Sequence, residues 1–176
     1  MRRAQCVLGV LLAAAAAGCH RHREPPAAAP GPAASDSIVL ERTPCFGACP
    51  TYVLTITGSA LATFDGTGRL RGRHGVDTLA AGAVDALFSR IDSAHTWELA
   101  EHYTPGHPAQ CSRYATDMPG AVLTIRRGTR RKQIEHYYGC AEAPAVLRDI
   151  ESAVDSVAGV DRWITAGSDL EPRPPR

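Results

Sequence analysis

Apolar and polar residues alternate from Ser37 to Arg42, with Ile38 and Leu40 on one face, and this two-residue period predicts a strand. A second alternation sets Tyr52, Leu54 and Ile56 against Val53, Thr55 and Thr57; it is strongly β-branched and predicts another strand, ended by Gly58-Ser59. Ala60 to Phe64 follows as a third, and Asp65-Gly66 turns into a fourth over Arg69 to Leu79. The period then lengthens to that of a helix. Val84, Leu87, Phe88 and Ile91 form one apolar stripe on a helix from about Ala81 to Ala94, and Trp97 and Leu99 extend that surface. Val122 to Arg127 and Arg130 to Tyr138 predict a second hairpin around Gly128-Thr129. A second helix starts near Pro144, which suits a first-turn position because it lacks an amide proton, and carries Leu147, Ile150, Val154 and Val157 on one face. Gly159 is a natural left-handed cap over which Val160 can pack back.

Four strands, a helix, two strands and a helix describe an α+β domain, a two-layer sandwich of mainly antiparallel sheet with both helices on one face. An alternating parallel fold needs a helix after nearly every strand, and this chain does not offer them. The domain occupies residues 37–166, enough for one core. Between the first helix and the second hairpin, Ala100 to Gly120 lacks periodicity; a compact domain seldom carries such a loop unless it is functional or tied down. Cys111, in its middle, is the candidate tie.

The N-terminus changes the picture of where the domain works. Met1-Arg2-Arg3 is a basic start and Cys6 to Ala17 an apolar run too short to span a bilayer, so residues 1–18 read as an export signal. Its end, Ala16-Ala17-Gly18-Cys19, resembles the bacterial lipobox, which implies lipidation of Cys19 and a membrane partner reached through that lipid. Ala16 stands where the lipobox usually has Leu, and ordinary cleavage after Ala17 is the alternative. Residues 19–36 are a tether whose Pro- and Ala-rich run, Glu24 to Asp36, can hold the domain about 40 Å off a membrane, with the basic residues after Cys19 a solvated stub or a contact for anionic head groups. Residues 167–176 read as a disordered tail.

The formal net charge of +1 argues against an electrostatic nucleic-acid binder. No nucleophile elbow, Walker loop or H-E-x-x-H site is present, and a hairpin turn explains Gly66-x-Gly68 better than a phosphate cradle. Arg126, Arg127, Arg130, Arg131 and Lys132 cluster around one turn, either as a charged rim that keeps a sheet edge soluble or as a patch for anionic lipid or an acidic partner. Asp117, before Met118-Pro119, suits a turn whose carboxylate bonds nearby amides. If the segment after His95 is helical, Glu98 and His102 share a face at i, i+4 and can bind a metal, with Glu101 and His107 nearby.

The cysteines carry the chemistry. Without Cys6 and Cys19, the exported part keeps Cys45, Cys49, Cys111 and Cys140, and an even count outside the cytoplasm favours disulfides. Of the three pairings, Cys45 with Cys49 and Cys111 with Cys140 is favoured, because Gly47 bends the first and the second pins the long loop. The competing reading is an active pair. Cys45-x-x-x-Cys49-Pro50 has the spacing of the Sco-type periplasmic copper chaperones, where two thiolates and a histidine hold copper; His95, His102, His107 or His136 can supply that ligand. Those proteins place a helix after the motif, whereas Thr51 to Thr57 is a clear strand.

A closer resemblance covers about Leu40 to Ile164. Thr43-x-Cys45-Phe46-Gly47-x-Cys49-Pro50-x-Tyr52, then Thr116-Asp117-Met118-Pro119, then His136-Tyr137-Tyr138-Gly139, resembles the bacterial family catalogued as domain of unknown function 6438, mostly small exported proteins and lipoproteins. The resemblance implies one domain of this size and marks Cys45, Cys49, Pro50, Tyr52, Asp117 and Gly139. It implies no activity, and it leaves Cys111 and Cys140 as an addition particular to this chain. The expectation is therefore a non-catalytic, lipid-anchored envelope domain without cofactor, stapled by two disulfides and acting through an envelope partner. The alternative is a copper-binding or thiol-redox protein using Cys45 and Cys49.

Overall fold

The computed structural model describes residues 31–165. The signal, Cys19, the tether up to residue 30 and the tail at 167–176 lie outside the described residues. The chain forms β1 (Ser37–Arg42), β2 (Thr51–Thr57), β3 (Leu61–Thr67), β4 (His74–Thr78), α1 (Ala83–Ser93), β5 (His102–Tyr103), β6 (Gly120–Arg127), β7 (Arg130–Tyr137), α2 (Ala145–Ala158) and α3 (Asp161–Thr165). The strands make one seven-stranded sheet in the order β4-β3-β2-β1-β6-β7-β5. Every neighbouring pair is antiparallel except β5 with β7.

The alternation seen in the sequence becomes the two faces of the sheet. Ile38, Leu40, Leu54, Ile56, Phe64, Leu123, Ile125 and Ile134 are buried on one face, in one core with Leu87, Phe88 and Ile91 of α1 and Leu147, Ile150 and Val154 of α2. Each such side chain stabilises the fold by roughly 1.5–3 kcal/mol through burial. On the other face Val39, Val53, Thr55, Thr63 and Thr124 are only half-buried and Val76 is exposed. The architecture is the expected α+β arrangement.

Four details depart from the sequence reading. The fourth strand starts only at His74, because Gly68–Leu70 coils into a short 3-10 turn that buries Leu70. The aperiodic loop contains β5, too short to leave a periodic signal. Pro144 caps α2 in an extended conformation, one residue ahead of the helix, and Val157 is only half-buried. Gly159 caps the C-terminus of α2 at φ 61° as expected, but the chain then turns into α3, whose Trp163 lies over Gly75. A β-carbon at residue 75 would collide with that indole, so a larger residue there would have to displace Trp163.

Strand β1 runs about 20 Å from one end of the sheet to the other. At its start, the buried Asp36 ties together the incoming chain and two turns. Its carboxylate accepts from Ala33 N at 3.0 Å and Gly128 N at 2.8 Å, and its carbonyl from Gly58 N at 2.7 Å. At its finish lie Arg42, the cysteine loop and the start of β6.

Candidate functional site

The inward parity of Ile38 and Leu40 continues to Arg42, the last residue of β1, so its guanidinium is directed under α2. Its partner in register is Tyr52, the first inward residue of β2. From α2 come Glu151 and Asp155, one turn apart on the inner side. Two carboxylates at i, i+4 repel each other. Arg42 resolves that repulsion: Nη2 and Nε lie 2.6 and 3.2 Å from Asp155 Oδ2, and Nη1 lies 3.4 Å from Glu151 Oε2. Tyr52 donates to Asp155 Oδ1 at 2.8 Å, and Tyr138 donates to Glu151 Oε2 at 2.5 Å. His136, inward on β7, holds Nδ1 2.9 Å from Glu151 Oε1. Glu151 is 0% exposed and survives there because three partners satisfy it.

This packing shifts proton affinities. Burial and the neighbouring Asp155 push the Tyr52 phenol well above its ordinary range. Burial, together with the charge of Glu151, raises Asp155 too, against the pull of Arg42 and the Tyr52 hydroxyl. For Arg42 burial works against the charge, but Asp155, Tyr52 and Glu151 together raise its affinity for the proton. The Tyr52 shift predicts an alkaline effect. Because the folded state keeps the phenolic proton longer than the unfolded chain does, stability is full below about pH 10 and falls by up to about 1.4 kcal/mol per pH unit above it. Urea unfolding between pH 9 and 11 should show this extra loss in the unmodified chain and not in Tyr52→Phe; equal slopes would contradict it.

Above the network opens a cleft of about 360 Å³, walled by Arg42, Cys49, Pro50, Tyr52, Tyr138 and Arg148. Arg148 stacks over the Tyr138 ring at 4.1 Å and has no acidic partner among the described residues. The cleft's rim is the cysteine loop. Cys45 and Cys49 are paired at disulfide distance, Cα to Cα 5.8 Å, and Gly47 takes φ 154°, open to glycine and rarely to other residues. Phe46 donates its amide to the Asp117 carbonyl at 3.3 Å, which fixes the loop against the long 100–120 segment and leaves the Phe46 ring 88% exposed.

That segment reaches the cleft at Pro119 and Gly120. Cys111 and Cys140 are paired, Cα to Cα 5.1 Å, and both are buried. Ala115 N bonds the Gly139 carbonyl at 3.0 Å, so close an approach that a side chain at Gly139 would strike Ala115. Asp117 sits at φ 65°, and its carboxylate accepts from the Thr116 hydroxyl at 3.2 Å rather than from the amides the sequence suggested. Met118 N bonds the Tyr137 hydroxyl at 3.1 Å, and Tyr114 packs edge-on against Tyr137. Phe46, Tyr114 and Met118 are thus exposed apolar side chains on segments tied by the two disulfides.

The metal ligand sets suggested by the sequence are not gathered. Among the described residues no group of three or more His, Cys, Asp or Glu is placed to hold a metal. Cys45 and Cys49 face each other, while His102 and His107 stack on one another at 4.4 Å. The segment after His95 is a 3-10 turn and then a strand, so Glu98 and His102 share no helical face; Glu98 instead approaches His95 at 3.4 Å. The sequence reading missed Arg42, Glu151, Asp155 and Arg148. Two signals were present: Arg42 keeps the parity of Ile38 and Leu40, and Glu151 and Asp155 fall on the flank of the α2 stripe.

A search of the curated proteins finds none that matches this chain. The sequence model of one family matches residues 36–158, from the Asp36 staple through the cysteine loop to the last turn of α2. The chain therefore belongs to the family described as domain of unknown function (DUF6438).

Proposed function

We propose that this is an exported, lipid-anchored, non-catalytic domain of the bacterial envelope that binds a partner at its Arg42 end. The observation that carries the reading is Phe46: a large aromatic ring stands 88% exposed on a loop that is closed by Cys45–Cys49, is bonded to the Asp117 carbonyl, and lines a cleft through Cys49 and Pro50. Exposed apolar side chains on a rigid frame mark a binding surface, since nothing in the fold itself needs them there. Arg148 adds a cation over Tyr138, so the partner suited to this surface presents an apolar side chain next to a carboxylate. Of the polar groups in the cleft wall, Asp155 is already engaged by Arg42 and Tyr52. Glu151 and His136 satisfy each other beneath the cleft and neither lines it. Export and anchoring rest on the signal and Cys19 in the sequence. A second reading, a periplasmic copper-binding or thiol-redox protein, draws on Cys49 lining the cleft and is separated from the first by the state of the thiols.

A photo-reactive phenylalanine analogue in place of Phe46, in cells making the full chain, tests the binding site. Cross-links to a defined envelope component are expected from position 46, to be lost with Arg148→Glu, and to be missing from the same probe at the exposed Val76 on the sheet's open face. Equal labelling from both positions, or none from position 46, would overturn the reading.

A further inference from the structure

We propose that the β6–β7 turn is a contact surface for anionic phospholipid head groups of the membrane that carries the anchor, and that this contact turns the cleft away from the membrane. This rests on the anchored reading above and adds an orientation to it.

Charge is concentrated at the turn. Arg126, Arg130 and Arg131 are exposed and have no acidic partner among the described residues, while Arg127 pairs with Asp92 and Lys132 lies 3.9 Å from Glu101. The acidic groups nearby are engaged: Asp92 also takes Trp97 Nε1 at 2.8 Å, Glu98 faces His95, and Asp36 binds Gly128 N. Arg130 lies 4.1 Å over the half-buried Trp97. An arginine stacked on a tryptophan places both groups favoured at a membrane interface, a cation and an amphipathic ring, on one surface.

Position is the independent observation. Asp36 binds Gly128 in the turn itself, and Ser37 pairs with Arg126, so the chain coming from Cys19 joins the domain beside these arginines. The stretch from Cys19 to Gly31 can extend no further than about 40 Å. Anchored there, the turn is held near the membrane, and electrostatic attraction within about 10 Å decides which surface settles on it. Each arginine near an anionic surface adds about fivefold to the affinity. Strand β1 then runs outward, and Phe46 and the cleft face the partner.

The test uses the full chain purified from the bacterial envelope and placed in vesicles of phosphatidylcholine, with or without phosphatidylglycerol, each carrying a dansyl lipid as acceptor for tryptophan fluorescence. Energy transfer should rise at least twofold with phosphatidylglycerol, fall back in 0.5 M salt, and stay flat in a chain carrying Arg126→Glu, Arg130→Glu and Arg131→Glu. Equal transfer from both vesicle types in the unmodified chain would overturn the proposal while leaving the anchor intact. An N-terminal mass without lipid at Cys19 would defeat the anchored reading instead. In that case the secreted chain is floated with each vesicle type: salt-sensitive flotation with phosphatidylglycerol alone keeps the lipid contact, and flotation with neither overturns it, as would capture by a soluble acidic protein only.

Discussion

A chain carrying Arg42→Met is expected to lose about 3–5 kcal/mol of unfolding free energy, a large share of what a domain of this size possesses. The Arg42 side chain is 13% exposed, and its guanidinium bridges Glu151, which is fully buried, and Asp155, one helical turn away. Methionine fills similar space, so little of the effect comes from a cavity; the cost is two carboxylates left close together under the helix with no cation between them. A second change locates the cause. In Arg42→Met with Glu151→Gln and Asp155→Asn, where the uncompensated charges are gone, most of the loss should return. Urea denaturation near neutral pH measures both. A loss below about 1 kcal/mol for the single variant, or no recovery in the triple one, would show that the network contributes little.

Next in size is the buried bridge. Cys111→Ser with Cys140→Ser should cost about 3.5 kcal/mol, against about 2 kcal/mol for Cys45→Ser with Cys49→Ser, because a bridge across 29 residues removes more freedom from the unfolded chain than one across 4. Their consequences for binding should run the other way. The long bridge holds the 100–120 segment to β7, so losing it loosens Tyr114, Asp117 and Met118 together. The short bridge contributes less to the fold but fixes Phe46, so opening it should weaken partner binding while the thermal midpoint moves least. Paired calorimetry and cross-linking from position 46 check both halves; a larger midpoint loss from the short bridge would contradict the assignment.

Much of this was readable from the chain before any coordinates. A run such as Tyr52-Leu54-Ile56 can bury only one face, so its period sets both the strand and the direction of its side chains. The α2 stripe placed Leu147, Ile150 and Val154 in the core for the same reason. What the sequence withheld was long-range. Nothing local says that Arg42 meets Asp155, 113 positions away, or that β1 lies between β2 and β6. That pairing follows from the order of strands in the sheet, which periodicity does not encode. The two-residue β5 and the single-turn α3 were missed because neither is long enough to repeat a pattern. The rim was half visible: cysteine spacing pointed to the loop, but only the fold shows that Asp117 and Tyr137 hold it upright.

The state of the Cys45–Cys49 pair bears most directly on whether the loop is a fixed binding edge or a working thiol pair. The full chain, exported by a bacterial periplasm, can be alkylated with and without mild reductant, mapped by mass spectrometry and then offered Cu(I). Resistance of all four cysteines, mapping as Cys45–Cys49 and Cys111–Cys140 with no copper bound, is the result predicted here. Opening of Cys45 and Cys49 alone under mild reductant, with one copper taken up, would contradict it and make metal or electron transfer the function of the site.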